Sequence, residues 1–221
     1  MKSLLIPSLI GAIISFTIFM VFSFLNYKKR YSVTYNLRNM FPYELNYESS
    51  FKDNLIGNIF LLLSSASLVL FFISFFQSMN NYGLTLMSLI AGVLASVMMP
   101  FVVFVPVKIL KTHLFVDVLF FLTTFLTLAS FGLVMVNEYQ LFMQTKSLVM
   151  AIIDLTFAFL VFLILMNPKL THWGDLEEVT NSDGTKYYKR PKYFVLAFSE
   201  WLIMFFMLLS PILGLITFYM M

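Results

Sequence analysis

Apolar residues in this chain run on without the regular interruption of polar ones that marks a soluble helix or a one-sided strand. Six such runs stand out, at residues 4–26, 55–77, 84–106, 114–136, 147–166 and 194–219. Each is close to the roughly 20 residues that an α-helix needs to cross about 30 Å of hydrocarbon. No window alternates apolar and polar in the manner of a barrel strand. The pattern predicts an all-α integral membrane protein: a six transmembrane helix bundle. Pro100 and Pro106 fall late in the third run, and the lost hydrogen bond of proline predicts that this helix stops near Val105.

The polar segments between the runs are unequal. Those around QSMNNYG and NEYQLFMQTK are short, whereas residues 27–54 and 171–193 are long enough to carry structure of their own. In the first long segment, tyrosines and phenylalanines are interleaved with lysine and arginine. That mixture favours the headgroup layer and anionic lipid, so a segment lying along the membrane surface is expected. The second holds LEEVT and TKYYK on either side of NSDG, which predicts a small cytoplasmic β-hairpin between helices five and six. Glu177 and Glu178 would then face Lys186 and Lys189 across the strands, and Arg190-Pro191 would end the pairing. An EF-hand reading of this loop fails, because Val179 occupies a ligand position and no glutamate follows before Glu200.

Composition agrees with the pattern: the 221 residues are 60% hydrophobic and 11% charged, against about 25% charged in soluble domains. The net charge of +3 is modest, but its distribution orients the bundle. Lys28, Lys29, Arg30, Arg38, Lys52, Lys108, Lys111, Lys169, Lys186, Lys189, Arg190 and Lys192 all fall in connections one, three and five. Only Lys2 and Lys146 fall on the other side. Basic residues are retained on the cytoplasmic side, so a multi-pass protein of the cell membrane with both termini outside is predicted. The first run is read as an anchor rather than a cleaved signal, since Lys28-Lys29-Arg30 follows it and no small-residue cleavage site is present.

Chemistry has few places to reside. With no cysteine there are no disulfides, thiolate metal sites or thiol nucleophiles, and the two histidines form no HExxH pattern. Neither a Walker loop nor a Gly-x-Ser-x-Gly elbow appears. No catalytic residue, metal site or cofactor is therefore assigned. The spans carry three acids, Asp117, Asp154 and Glu200, and no Lys or Arg. Asp117 and Glu200 lie near the basic ends of their helices and are expected to pair at the interface, with His113 an interfacial residue. Asp154 is deeper, on a stripe with Ser147, Ala151 and Ala158 that allows close helix approach. Its expected neighbour is helix four, where His113, Asp117, Thr124, Thr127 and Glu138 share an arc of about 80° at 100° per residue.

These features predict a non-enzymatic accessory subunit, docking or membrane-protection factor acting through its cytoplasmic segments. Besides the lipid bilayer, its expected partner is a cytoplasmic or membrane protein, not nucleic acid. Lys28, Lys29, Arg30, Phe41, Tyr43, Glu177, Lys186, Lys189 and Arg190 are the candidate partner or lipid contacts. The alternative is a small transporter or channel with Asp154, Asp117, Thr124 and Thr127 along a proton or cation path. A second alternative, an intramembrane enzyme acting on lipid, requires Asp117, Glu200 and His113 to meet at the inner interface.

Overall fold

The computed structural model describes residues 2–46, 51–79, 82–106, 109–168, 177–180, 186–189 and 192–219. Six helices in it are long and apolar enough to cross a membrane: α1 (Leu5–Tyr31), α2 (Leu55–Phe76), α3 (Tyr82–Phe104), α4 (Leu110–Phe142), α5 (Thr145–Leu165) and α6 (Val195–Tyr219). The chain has the architecture of a multi-pass membrane protein. Strands β1 (Glu177–Thr180) and β2 (Lys186–Lys189) pair antiparallel, with Glu177 opposite Lys189 and Thr180 opposite Lys186. Lys108, residues 169–176, residues 181–185 and Arg190 lie outside the described residues, so the NSDG turn does too.

Helix boundaries differ from the hydropathy runs where polar residues can be solvated by the interface. Helix α1 continues through Lys28, Lys29 and Arg30, whose charges sit favourably against the negative end of the helix dipole. It closes at Ser32 in a left-handed conformation (φ 57°), with the Ser32 N–H donating to the Lys28 carbonyl at 2.9 Å. Helix α4 is longer than its apolar run at both ends. It takes in Lys111 and His113, then runs through Asn137–Phe142, leaving only Met143 and Gln144 before α5. Met143 ends it at φ 54°, again left-handed.

Consecutive helices pack side by side from α1 to α5, and α6 lies against α5, α4 and α1. Phenylalanines fill the interior: Phe131 of α4 meets Phe75 of α2 at 4.5 Å between ring centroids, and Phe71 and Phe72 pack around the same ring. Close approach is set by small residues. The Ser64 hydroxyl donates to the Ala12 carbonyl at 2.9 Å, Ser65 to the Ser96 carbonyl at 2.6 Å, and Ser88 to the Ser130 hydroxyl at 2.9 Å. These cross-links tie α2 to α1, α2 to α3 and α3 to α4. A Cβ on Gly92 would sit 2.5–2.7 Å from the Phe72 ring, so glycine is what lets α3 close on α2.

The first connection corrects an expectation. Among its described residues, Tyr35, Phe41, Leu45, Asn46 and Asn54 are buried in the bundle rather than laid along the surface, while Val33, Arg38 and Lys52 stay exposed. Its polar groups find partners there. Asn46 Nδ2 donates to the Val103 carbonyl (3.1 Å), Asn58 Nδ2 to Asn46 Oδ1 (2.8 Å), and Asn54 Nδ2 to Ser23 Oγ (2.7 Å). Trp201 of α6 donates its indole N–H to the Tyr35 hydroxyl and the Met40 carbonyl, both at 3.1 Å, and the Tyr35 hydroxyl donates to the Phe41 carbonyl at 2.7 Å. Satisfied in this way, an aromatic loop can enter the bundle at little cost.

Three stability predictions follow from these contacts. Tyr35→Phe removes the hydroxyl that accepts from the Trp201 indole and donates to the Phe41 carbonyl, which keeps the Glu44 N–H, and should destabilise detergent-solubilised protein by about 0.5–1.5 kcal/mol in thermal melts. Burial, then the neighbouring Glu44, push the Tyr35 phenol well above its usual 10.0. Because the folded state favours the protonated phenol, its contribution is complete below about pH 10 and is lost as pH rises further; the Phe variant should lack that alkaline slope. Met143→Gly, which removes a Cβ at positive φ, should raise stability by up to about 1 kcal/mol in the same assay.

Candidate functional site

Helix α3 ends beside Pro106, and the carbonyls of a last helical turn have no partner within their own helix. His113, in the first turn of α4, supplies one: its Nδ1 lies 2.8 Å from the Val105 carbonyl oxygen. A carbonyl can only accept, so Nδ1 carries the proton and Nε2 is turned into the bundle. There it meets Asp117, one turn along α4, with Oδ2 at 3.3 Å, and Glu200, in the second turn of α6, with Oε1 at 3.4 Å.

All three side chains are enclosed, with relative exposures of 0% for His113, 1% for Asp117 and 0% for Glu200. Above them sit rings of the first connection: Phe41 at 6.0 Å and Tyr43 at 5.4 Å from the imidazole, both edge-on. Phe41 also packs on Phe194 at the start of α6. Despite the short distances, His113 Nε2, both Asp117 oxygens and both Glu200 oxygens have no well-oriented hydrogen-bond partner. The expectation that Asp117 and Glu200 pair with basic residues at the interface, and that His113 is interfacial, is therefore corrected. The inward arc of α4 draws the three toward each other and away from the lysines.

Asp154 is also fully buried, between Ala151 and Ala158 on the inward stripe of α5. The hydroxyl that interacts with it is Ser210 of α6, although neither carboxylate oxygen has a well-oriented hydrogen bond. Helix four meets α5 in a register that sets Leu155 against Gly132 and Phe162 against Phe125. Thr124 is thus near Phe162, about 12 Å of helix rise from Asp154. Thr127 donates its hydroxyl to the Thr123 carbonyl at 2.7 Å, while Thr124 is buried without an oriented partner. Asp154, Asp117, Thr124 and Thr127 all face inward but do not converge.

The candidate contacts divide by exposure. Lys28 and Lys29 are exposed, while Arg30 is half-buried and engages Asp53, donating to its carbonyl at 2.8 Å with the carboxylate at 3.8 Å. Phe41 is 2% exposed and so is not open to a partner, which corrects its assignment as a contact; Tyr43 is half-buried over His113. Glu177, Lys186 and Lys189 lie on the paired strands, and Arg190 lies outside the described residues. Sequence reading missed the roles of Asn46, Asn58 and Trp201. Two asparagines flanking an aromatic turn next to an apolar run were the available signal.

Compared with protein-family models, curated proteins and solved structures, the chain finds no match in any of the three.

Burial without a charged partner gives Asp154 a clear mutational signature. Asp154→Asn preserves shape and should melt within about 1 kcal/mol of the parent protein. Asp154→Lys, which places a cation near mid-span at a cost of about 2.5–3.5 kcal/mol, should lower the melting temperature or prevent accumulation in membranes.

Proposed function

We propose that the chain is a non-enzymatic accessory or membrane-protection factor of the cell membrane, which docks a partner through its basic end. In this reading, connections one, three and five face the cytoplasm and both termini lie outside, as the basic residues favour. The observation that carries it is the cap formed by the first connection. The Phe194 N–H donates to the Arg38 carbonyl at 2.9 Å, and Trp201 grips Tyr35 and Met40, so this loop is fixed to the bundle. Lys28, Lys29, Arg38, Lys52 and Lys192 remain exposed around it. A fixed surface with an outward basic rim suits an acidic protein surface or anionic headgroups, because little ordering is left to be done on binding.

A cleft beside that rim suits a lipid molecule. A cleft of about 520 Å³ between α1 and α2 is walled by Phe22, Leu25, Leu55 and Ile56 and edged by Lys29 and Lys52. Acyl carbon against the wall and a headgroup phosphate against the lysines would satisfy both parts. In this reading the paired strands of the fifth connection supply a second cytoplasmic surface for a protein partner.

The transporter reading rests on Asp154, the Ser210 hydroxyl beside it and the Thr124 hydroxyl, which has no oriented partner. The two readings separate experimentally. Deleting residues 176–190, or changing Lys28, Lys29 and Lys52 to Gln, should remove a co-purifying partner or anionic lipid while the protein still reaches the membrane. Proteoliposomes should show no proton or cation flux. Flux that Asp154→Asn abolishes in a folded protein would replace docking with transport.

A further inference from the structure

We infer that His113, Asp117 and Glu200 form a binding site for one divalent transition-metal ion, with Zn2+ the best fit to the donor set. The argument begins with the tautomer. Because Nδ1 donates to the Val105 carbonyl, a neutral His113 turns the lone pair of Nε2 toward the two carboxylates. This is the arrangement of metal-ligating histidines, whose second ring nitrogen donates to a carbonyl or carboxylate that fixes the ring.

Distances agree with a metal in the middle. Tetrahedral Zn2+ holds nitrogen and oxygen ligands at about 2.0–2.2 Å, which places ligand atoms about 3.3–3.5 Å from one another. Nε2 stands 3.3 Å from Asp117 Oδ2 and 3.4 Å from Glu200 Oε1, and one ligand atom from each residue lies within 4.8 Å of the others. Five nitrogen and oxygen atoms in the cluster have no oriented hydrogen bond. The Asp117 and Glu200 carboxyls also interact with each other, so the three groups converge on one point.

Charge points the same way. Binding would draw the protons off both acids, and the resulting charge of −2 beside a neutral imidazole is what a divalent cation neutralises in a region where an unpaired charge is costly. The imidazole favours Zn2+ and its neighbours over Ca2+ or Mg2+, which take oxygen ligands, and no thiolate is present to select a softer ion. Tyr43, half-buried above the imidazole at the basic end, is the lid through which an ion would enter. Bound there, the ion would join α4 to α6 directly beneath the cap.

The competing arrangement is an imidazolium held between the two acids, with no metal. To separate them, the full-length protein in detergent is stripped with a chelator and titrated with Co2+, then Zn2+. A metal site predicts one Co2+ per chain with the visible d–d bands of a four-coordinate centre, displaced by stoichiometric Zn2+. Asp117→Asn and Glu200→Gln should lose stoichiometric binding. Asp117→Cys keeps a ligand of matching reach and should retain Co2+ while gaining a thiolate-to-cobalt charge-transfer band, which identifies position 117 even if the other variants fold poorly. The inference is overturned if the monodisperse parent protein takes up neither ion at stoichiometric concentration, or if Asp117→Cys binds Co2+ without the thiolate band.

Discussion

Everything at the basic end of this protein depends on one constraint: polar groups drawn into an apolar bundle must find partners there. The first connection meets it through Asn46 with Asn58 and the Val103 carbonyl, and through Trp201 with Tyr35 and Met40. With those bonds made, Phe41 can descend onto His113 and Phe194, and the space above the acids of α4 and α6 closes. The cap and the enclosed cluster are thus one construction. A loop that stayed on the surface would leave His113, Asp117 and Glu200 open to water, and their mutual proximity would lose its electrostatic force.

The two halves of the bundle are held by different means. Where α2, α3 and α4 meet, Phe71, Phe72, Phe75 and Phe131 interlock and serine hydroxyls bridge neighbouring helices. Around α6 the contacts are mixed: Trp201 stacks on Phe19 while Phe157 lies parallel to Phe206 at 4.4 Å. Buried acids without oriented hydrogen bonds lie on this second side, at Asp117, Asp154 and Glu200, whereas on α2 the atoms without one are Asn58 Oδ1 and the Ser74 hydroxyl. That asymmetry separates a scaffold of aromatic packing from a region where chemistry or switching can be accommodated.

Much of this was legible in the residues. Apolar run length locates all six helices, because each must cross the same hydrocarbon, although α1 and α4 run on past their apolar stretches. The polar arc of α4 was also visible, since 3.6-residue periodicity alone assigns His113, Asp117, Thr124 and Thr127 to one side. What faces that arc was not. Helix α6 returns to α4 only after the longest connection, and nothing local in FSEWL announces that Glu200 will meet His113. The burial of the first connection was hidden for a related reason. Tyrosine, phenylalanine and basic residues describe an interfacial segment and a bundle cap equally well, and asparagine pairing across 12 residues leaves no periodic trace. Local composition reports what a segment tolerates; the partner that decides between its options is set by the fold.

Helix α4 has 33 residues and α5, joined to it by two, has 21. At about 1.5 Å per residue the first is close to 50 Å long and the second about 32 Å, whereas the hydrocarbon is about 30 Å thick. The shorter helix can stand nearly upright; the longer must lean or extend through the headgroups at one end. Leu141, Phe142 and Met143 at its far end are exposed, as suits residues that rest in the interfacial layer. The same rod carries His113 and Asp117 at its near end, so a change in lipid thickness that altered its tilt would reach the enclosed acids along the helix rather than through contact.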